Sequence, residues 1–343
     1  MKKILITGGA GFIGSNAAEF FCKKKWKVII VDNLSRTGAS INLKRIKKKI
    51  SKFYSTDIKN FKKINLVILK NKPDVILHAA GQVAVTKSIE DPINDFNDNL
   101  LGTLNILEAI RQNKIKTKLI YTSTNKVYGK LENIKLKKTG KRYSFLKEKK
   151  GVNENFNIDF HSPYGCSKGS ADQYVNDYSR IYNLNTYVLR QSCIYGINQF
   201  GVEDQGWVAW FIIASILKKK IKIYGDGKQV RDILFIDDLN NLYFKIANSK
   251  HIMKNNIYNV GGGSKNTLSL LELIDLLKTY NIKTNLTFKK WRDGDQKIFV
   301  SDNSKIISKF NWKPKITPKN GVEKLIGWVI KNKKIIKKIF DNK

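Results

Sequence analysis

The sequence predicts an α/β fold, a doubly wound parallel sheet joined to a smaller mixed α/β substrate-binding lobe. Three observations predict it. Apolar runs of strand length alternate with helix-length stretches through the first half of the chain. The first run leads at once into Gly8-x-x-Gly11-x-x-Gly14, which opens the first helix. The second run ends on an acidic residue, Asp32. Such alternation calls for parallel strands with helices on both faces, the Rossmann-type arrangement.

In chain order, strand-length runs fall at 3–7, 27–32, 53–56, 74–78 and 118–123, with helical stretches at 13–25, 58–70 and 94–112. Residues 130–160 are polar, lysine-rich and irregular, and are expected to form a surface excursion. Ser162-Pro163 then announces a helix, with Ser as N-cap and Pro at the first helical position. That helix is expected from 164 to 182, followed by a strand at 186–190. Beyond Gly196 the pattern changes to short mixed elements, with helices at 207–217, 268–280 and 321–331 and a strand at 221–224. There is no internal repeat and no low-complexity linker. Residues 1–190 are therefore expected as the dinucleotide-binding domain and 191–343 mainly as a substrate-binding lobe interleaved with the sheet. The last thirteen residues are basic, with Ile335, Ile336, Ile339 and Phe340 interleaved. A helix packed on the body is expected there, in preference to one lying on an acidic membrane surface.

A chain of 343 residues, 42% hydrophobic, can bury a large core. Its longest apolar run, 208–217, is too short to span a bilayer. The start, Met1-Lys2-Lys3, breaks at once into the glycine turn and then takes on helical polarity with Glu19 and Lys23, so it reads as a strand and helix and not as a secretory signal. Cys22, Cys166 and Cys193 are scattered and odd in number, with no metal-ligand or redox spacing, which predicts reduced thiols in a cytoplasmic protein and no metal. The net charge of +36, from 64 basic and 28 acidic residues, is spread over lysine runs through the chain. No nucleic-acid-binding motif accompanies them. The charge is read as solvated faces that also steer a phosphate-bearing substrate.

The glycines permit a tight turn and let backbone N–H groups approach a pyrophosphate at the positive end of a helix. A carboxylate at Asp32 can accept hydrogen bonds from ribose hydroxyls and repels a 2′-phosphate, which favours NAD over NADP. Arg36, close by, weighs the other way. Tyr164 and Lys168 stand four residues apart and project from one face of the helix begun at Pro163. A tyrosine near its ordinary pKa of ~10 is a poor base at neutral pH. A nearby ammonium and a cationic nicotinamide ring both favour the phenolate. A phenolate can take a hydroxyl proton while hydride leaves the same carbon for the cofactor. A hydroxyl at Thr124, just past the strand at 118–123, can hold the substrate oxygen beside Tyr164. His78 and His161 read as structural, with no zinc-ligand spacing. Trp207, Trp210 and Trp291 suit either stacking on a base or sugar or packing in the core.

Together these residues resemble the extended short-chain dehydrogenase/reductase family of sugar-nucleotide enzymes over essentially the whole chain. The markers are Thr7-Gly8-Gly9-Ala10-Gly11-Phe12-Ile13-Gly14, Asp32-Asn33-Leu34, His78-Ala79-Ala80-Gly81, Val127-Tyr128-Gly129, Tyr164-Gly165-Cys166-Ser167-Lys168 and Arg231-Asp232-x-x-x-Ile236-Asp237-Asp238. The resemblance implies an NAD site lined by Gly8, Gly11, Phe12, Ile13, Gly14, Asp32, Asn33, Ser35, Arg36, Asp57, Ile58, Ala79, Ala80, Gln82 and Asn99, with Tyr164 and Lys168. It implies catalytic roles for Thr124, Tyr164 and Lys168. Substrate contacts are implied for Gln82, Thr124, Asn125, Gln191, Ser192, Arg231 and Arg292, the two arginines gripping a diphosphate. A homodimer or homotetramer is implied as well.

Within the family, three stretches (123–129, 161–174 and 199–207) are most similar to members that invert C2 of a CDP-linked 3,6-dideoxyhexose with NAD that is never net consumed. Dehydratases of the family carry an acid and a base directly after the residue matching Thr124, where this chain has Asn125 and Lys126. Cys193 stands where an Asn usually helps hold the diphosphate, which weakens a match to UDP-sugar 4-epimerases. The rival expectations are a 4-epimerase, decarboxylase or reductase of another nucleotide sugar, and a non-catalytic NAD-binding sensor. The complete set of Thr124, Tyr164 and Lys168 argues against the sensor.

Overall fold

The computed structural model describes residues 1–250, 256–292 and 295–341. To residue 127 the chain runs β1 (Lys3–Thr7), α1 (Phe12–Lys23), β2 (Lys27–Asp32), α2 (Ala39–Ile46), β3 (Lys52–Ser55), α3 (Phe61–Asn71), β4 (Val75–His78), α4 (Val85–Glu90), α5 (Pro92–Phe96), a π-helical turn (Asn97–Leu101), α6 (Gly102–Gln112) and β5 (Lys118–Thr124). A hairpin of β6 (Leu136–Thr139) and β7 (Arg142–Phe145) precedes α7 (Ser162–Ile181), β8 (Asn185–Gln191), β9 (Cys193–Tyr195), α8 (Trp207–Ile216), β10 (Lys220–Tyr224), β11 (Val230–Phe235), α9 (Ile236–Asn248) and β12 (Ile257–Val260). The chain ends with β13 (Thr267–Ser269), α10 (Leu270–Thr279), β14 (Asn285–Lys289), β15 (Ile298–Phe299), α11 (Ser304–Phe310), α12 (Pro318–Lys331) and α13 (Lys333–Asp341).

A seven-stranded sheet has the order β12-β8-β5-β4-β1-β2-β3, and β5, β4, β1, β2 and β3 run parallel. The expected Rossmann-type sheet is present. Every residue of β4 is buried, as a strand covered by helices on both faces requires. The edge strand β3 keeps Lys52 and Ser55 exposed. The helix expected over 94–112 is broken by the π turn, which carries Asn99. π turns inside helices frequently mark functional positions. The helix α2 was not foreseen, because Lys44, Arg45 and the lysines that follow mask a short apolar stripe of Leu43 and Ile46.

Contacts divide the chain into two compact units. The first comprises Met1–Val127, Ser162–Arg190 and Asn240–Tyr258. Its core gathers Leu5, Ile29, Ile76, Ile106, Leu119, Tyr121, Val175 and Val188. A buried ion pair runs through it: Arg190 Nε and Nη2 donate to Asp172 at 2.9 and 3.0 Å, and Ser123 Oγ donates to the same carboxylate at 2.7 Å. Three elements, β5, α7 and β8, thus converge on one charge pair. Lys118 Nζ donates to the carbonyls of Ile246 (2.6 Å) and Ser249 (2.8 Å), closing the end of α9.

The second unit comprises Tyr128–His161, Gln191–Leu239 and Asn259–Lys343. The excursion at 130–160 proves less irregular than expected, since β6 and β7 pair antiparallel and set Leu136, Tyr143 and Phe145 against Val230, Ile298 and Val300. A Cβ at Gly321 of α12 would stand 2.0 Å from Tyr195 Oη, so only glycine lets that helix approach so closely. The basic terminal helix packs as expected: Ile336 is fully buried and Phe340 meets the Trp210 ring at 5.6 Å. Among the described residues no helix is long and apolar enough to cross a membrane.

Removing one partner of a buried ion pair strands the other charge away from water. Asp172→Ala is expected to lower unfolding stability by about 3–5 kcal/mol, measured by urea denaturation. A loss under 1 kcal/mol would show that β5, α7 and β8 do not depend on the pair.

Candidate active site

The glycine turn joins β1 to α1 with almost no space to spare. Gly8 adopts φ +66°, and a Cβ there would stand 2.7 Å from Ala80 N and 2.8 Å from Ala79 C. A Cβ on Gly14 would stand 2.1 Å from Gly8 O. No side chain caps α1, whose N-cap is Gly11, so its first-turn N–H groups, among them those of Phe12 and Ile13, stand ready for an anion. Asp32, at the end of β2, accepts the Ala10 N–H at 2.9 Å and the Leu34 N–H at 2.7 Å. Burial pushes its carboxyl above the usual range against those hydrogen bonds. A carboxylate has lone pairs left for a ribose after accepting two such bonds. Asn33 Nδ2 donates to Asp57 at 3.0 Å, and Ser35 Oγ donates to Asn33 Oδ1 at 2.8 Å, tying the ends of β2 and β3 together. Ile58 is buried against Gly102, and Ala79 and Ala80 lie half-buried past β4.

Asn99 is 1% exposed and donates to Asp95 and Ser167, both at 3.1 Å, while its Oδ1 has no partner. A buried acceptor without a donor costs about 1–3 kcal/mol, and the group is suited to a ligand donor. The cradle at Gly8 and Gly14, the uncapped α1 and this acceptor all lie in the first unit and fit a dinucleotide. Gln82 is folded back on its own loop, donating to Ala84 O (2.7 Å) and Asp95 (2.8 Å).

Tyr164 and Lys168 both stand on α7 and both are buried, at 8% and 5% exposure. Ser162 opens α7, its Oγ accepting the Gly165 N–H at 3.3 Å, and Ser88 Oγ accepts the Tyr164 N–H at 3.1 Å. Thr124, the last residue of β5, hydrogen-bonds the Tyr164 phenol. Asn125 opens the short 3₁₀ turn that follows. The electrostatics correct one expectation. The phenol is pushed up to about 12, chiefly by burial and further by Asp95, with Thr124 and Arg36 opposing. Lys168 is not among the groups that act on it. Its Nζ instead donates to Thr122 O at 2.6 Å and lies 4.3 Å from the Tyr121 ring centroid. Helical spacing places the pair on one face, but the ammonium is directed at the Thr122 carbonyl. Burial pulls Lys168 down to about 7, with Asp172 and Asp95 resisting. The half-buried Arg36 interacts with Tyr164 and Asp98.

His78 is structural as expected. Its ring joins Thr7 Oγ1 (2.7 Å) to Thr103 Oγ1 (3.0 Å), and burial holds it down to about 3, so it is neutral.

The second unit holds the remaining candidates. Gln191 is buried at the end of β8, and Ser192 Oγ donates to the Asp232 carboxylate. Arg231 is half-buried on β11 and donates to the carbonyls of Val230 (2.8 Å) and Gln296 (2.7 Å). Arg292 lies 3.7 Å over the Tyr224 ring and pairs with Asp204 at 3.3 Å and Glu203 at 4.0 Å. Trp291 lies against Gly225, where a Cβ would stand 2.5 Å from the indole. Trp207 donates its indole N–H to Cys193 Sγ at 2.9 Å, and burial pushes that thiol up to about 12. Trp210 is core. No His, Cys, Asp or Glu cluster among the described residues can hold a metal. Sequence reasoning missed Asp95, Ser88 and Ser167 beside the α7 residues and the acids facing Arg292, since none of these carries a spacing signal.

A profile described as GDP-mannose 4,6-dehydratase matches residues 5–325. The CDP-paratose 2-epimerase of Salmonella typhi is 46% identical over 333 residues, 95% of this chain and 98% of that protein. Among solved structures, the UDP-glucose 4-epimerase of Thermotoga maritima, crystallised with UDP-glucose, superposes with TM-score 0.82 at 29% identity, covering 96% of this chain and 99% of that one. The UDP-glucose 4-epimerase of Thermus thermophilus in complex with NAD superposes with TM-score 0.81 at 28% identity, covering 95% and 98%.

Lys168 supplies a test of its burial. Its folded-state pKa, about 7, lies below its ordinary 10.5, so between these values the unfolded chain holds more protons. Stability contributed by this residue therefore rises with pH across that window and is lowest below 7. The stability of the wild type relative to Lys168→Met is expected to climb from pH 7 to pH 10, followed by guanidinium denaturation. A flat difference would mean that the ammonium is not desolvated.

Proposed function

We propose, from the premise that the chain belongs to the GDP-mannose 4,6-dehydratase family of extended short-chain dehydrogenase/reductases, that it is an NAD-dependent nucleotide-sugar epimerase acting at C2 of a CDP-linked 3,6-dideoxyhexose. The observation that carries the reading is the Tyr164 phenol, buried, bonded to Thr124 and set in the same unit as the dinucleotide cradle. The choice of C2 and of CDP leans on the 46% identity to the Salmonella typhi enzyme.

NAD, held by the glycine cradle, the α1 N-terminus and Asp32, would supply reversible hydride acceptance at C2. The protein's residues manage the proton and the orientation. Thr124 holds the C2 oxygen and Tyr164 Oη takes its proton, leaving a 2-keto sugar. The same phenol returns the proton once the sugar presents its other face. With its phenol pushed up to about 12, Tyr164 is a poor base at neutral pH in the free protein. The reaction therefore depends on positive charge drawn close to Tyr164, which ties base strength to cofactor binding. Asp32 and the α1 N-terminus bind the adenosine half and pyrophosphate, and Asn99 offers its open acceptor. Gln191, Ser192, Arg231 and Arg292 recognise the substrate, the two arginines as its diphosphate ligands. Asn125 and Lys126 stand where a dehydratase needs its acid and base, so elimination of water lacks its carboxylates.

A 4-epimerase of UDP-sugars is the second reading, favoured by the crystallised relatives. Against it stands Cys193, half-buried and hydrogen-bonded by Trp207, which gives a substrate no amide donor. A homo-oligomer is proposed through α4, α5 and α7, which leave Ile89, Ile93, Phe96, Tyr174, Ile181 and Tyr182 exposed in one unit. The three free cysteines suit a cytoplasmic enzyme.

The decisive experiment is turnover of CDP-paratose in deuterated water. The C2 epimer should form without deuterium at C2, and Tyr164→Phe should lose at least about 10³-fold in kcat. Inertness toward CDP-paratose with turnover of a UDP-hexose at C4 would overturn the assignment. Ile93→Asp with Phe96→Lys should lower the native mass to that of the monomer on light scattering.

A further inference from the structure

Asp95 is a residue the redox cycle has not used. It is 1% exposed, on the short helix α5, and its carboxylate receives three donors. Gln82 Nε2 donates at 2.8 Å, Asn99 Nδ2 at 3.1 Å, and Ser167 Oγ to the other oxygen. Ser167 sits on α7 between Tyr164 and Lys168. Among the described residues no basic side chain makes an ion pair with Asp95. A carboxylate buried with neutral donors alone is costly, whereas an Asn or Ser would tie α5 to α7 without that penalty. The charge itself therefore needs a reason.

The surroundings supply one. Lys168 is an ammonium in an apolar pocket, and the groups facing it are few. His78 on β4 is neutral, and Tyr121 on β5 offers only a ring face. Asp172, on the same helix, is already matched by the two-bonded Arg190. That leaves Asp95 as the uncompensated negative charge. Around Tyr164 stand Thr124, the same Asp95, and Arg36, which Asp98 partly balances.

We propose that Asp95 is a positioning residue whose negative charge holds Lys168 as a cation and sets the pH window of Tyr164, acting through the Ser167 and Asn99 contacts that fix it against α7. The inference rests on the proposed reading of Tyr164 as the proton-transfer group, with Lys168 as the catalytic cation that the family resemblance implies. Its signature is distinctive. Neutralising Asp95 eases ionisation of the Tyr164 phenol and also eases loss of the Lys168 proton. Both limbs of the pH–rate curve must then move the same way, toward acid.

The test is Asp95→Asn in the NAD-loaded protein, with two readouts. The first is the ultraviolet phenolate titration of Tyr164, isolated by subtracting the same protein carrying Tyr164→Phe. Its midpoint should fall by at least half a pH unit. The second is kcat against pH, which should drop several-fold on the alkaline side and be retained or raised on the acid side. Asp95→Ser removes the charge with less bulk and carries the same expectations should the Asn variant not fold. Unmoved midpoints with a uniform fall in kcat would make Asp95 a mere tether and overturn the proposal. Absence of any Tyr164-dependent phenolate or turnover in the wild type would instead overturn the reading beneath it.

Discussion

Carrying an ammonium and a phenol out of water on the first two turns of α7 costs free energy that the rest of the first unit must offset. The offset is visible in the contacts. Thr122 O takes the ammonium at 2.6 Å, the Tyr121 ring lies beneath it, and Asp172 is held in place by Arg190 and Ser123. Ser88 and Ser162 satisfy N–H groups at the start of the helix, so its N-terminal turn can be buried without orphan donors. The parallel strands β4 and β5 are buried along their lengths, which makes the environment apolar in the first place. Stability and chemistry are coupled here. The burial that makes Lys168 costly is also what makes its charge, and that of Tyr164, responsive to neighbours.

The fold was legible because its signals are local and redundant. The runs at 3–7 and 27–32 reappear as β1 and β2 with unchanged ends, and Ser162-Pro163 starts α7 as its capping chemistry dictates. Where local signals compete with tertiary contacts, legibility fails. The stretch 94–112 has the period of one helix, yet the chain winds through a π turn that brings Asn99 to Asp95 and Ser167, partners far apart in sequence or lacking any motif. Residues 130–160 looked shapeless because Lys137 and Lys138 fill β6 and Arg142 and Ser144 interrupt β7, leaving only Leu136, Tyr143 and Phe145 to announce a packed face. The ionisation of Tyr164 was misjudged for a related reason. Spacing tells which side chains share a helix face, but burial depends on the strands and helices around them.

The lysine-rich composition invites an electrostatic account of the whole protein, and the structure narrows it. Many of the lysines, such as Lys48, Lys62 and Lys149, lie exposed on loops and helix faces. Charges in such positions raise the rate of encounter with a phosphate-bearing ligand and are screened by salt. They cannot set orientation. Orientation falls to charges that packing holds still, and in the second unit Arg231 and Arg292 are among these.

Those two arginines are held in different ways, with different consequences for an anion. Arg231 donates to the carbonyls of Val230 and Gln296, which are neutral, so its positive charge stays uncompensated by those contacts. Arg292 lies flat on Tyr224 and already faces Asp204 and Glu203, while Tyr224 and Lys222 in turn engage Glu203. Arg231 makes no ion pair among the described residues, although Asp295 and Asp232 act on its charge, whereas a diphosphate reaching Arg292 must share the guanidinium with two carboxylates. The stacking of Arg292 on Tyr224, with Trp291 wedged on Gly225, nonetheless keeps the guanidinium plane fixed. Stacked in this way, Arg292 is suited to orienting whatever anion it accepts.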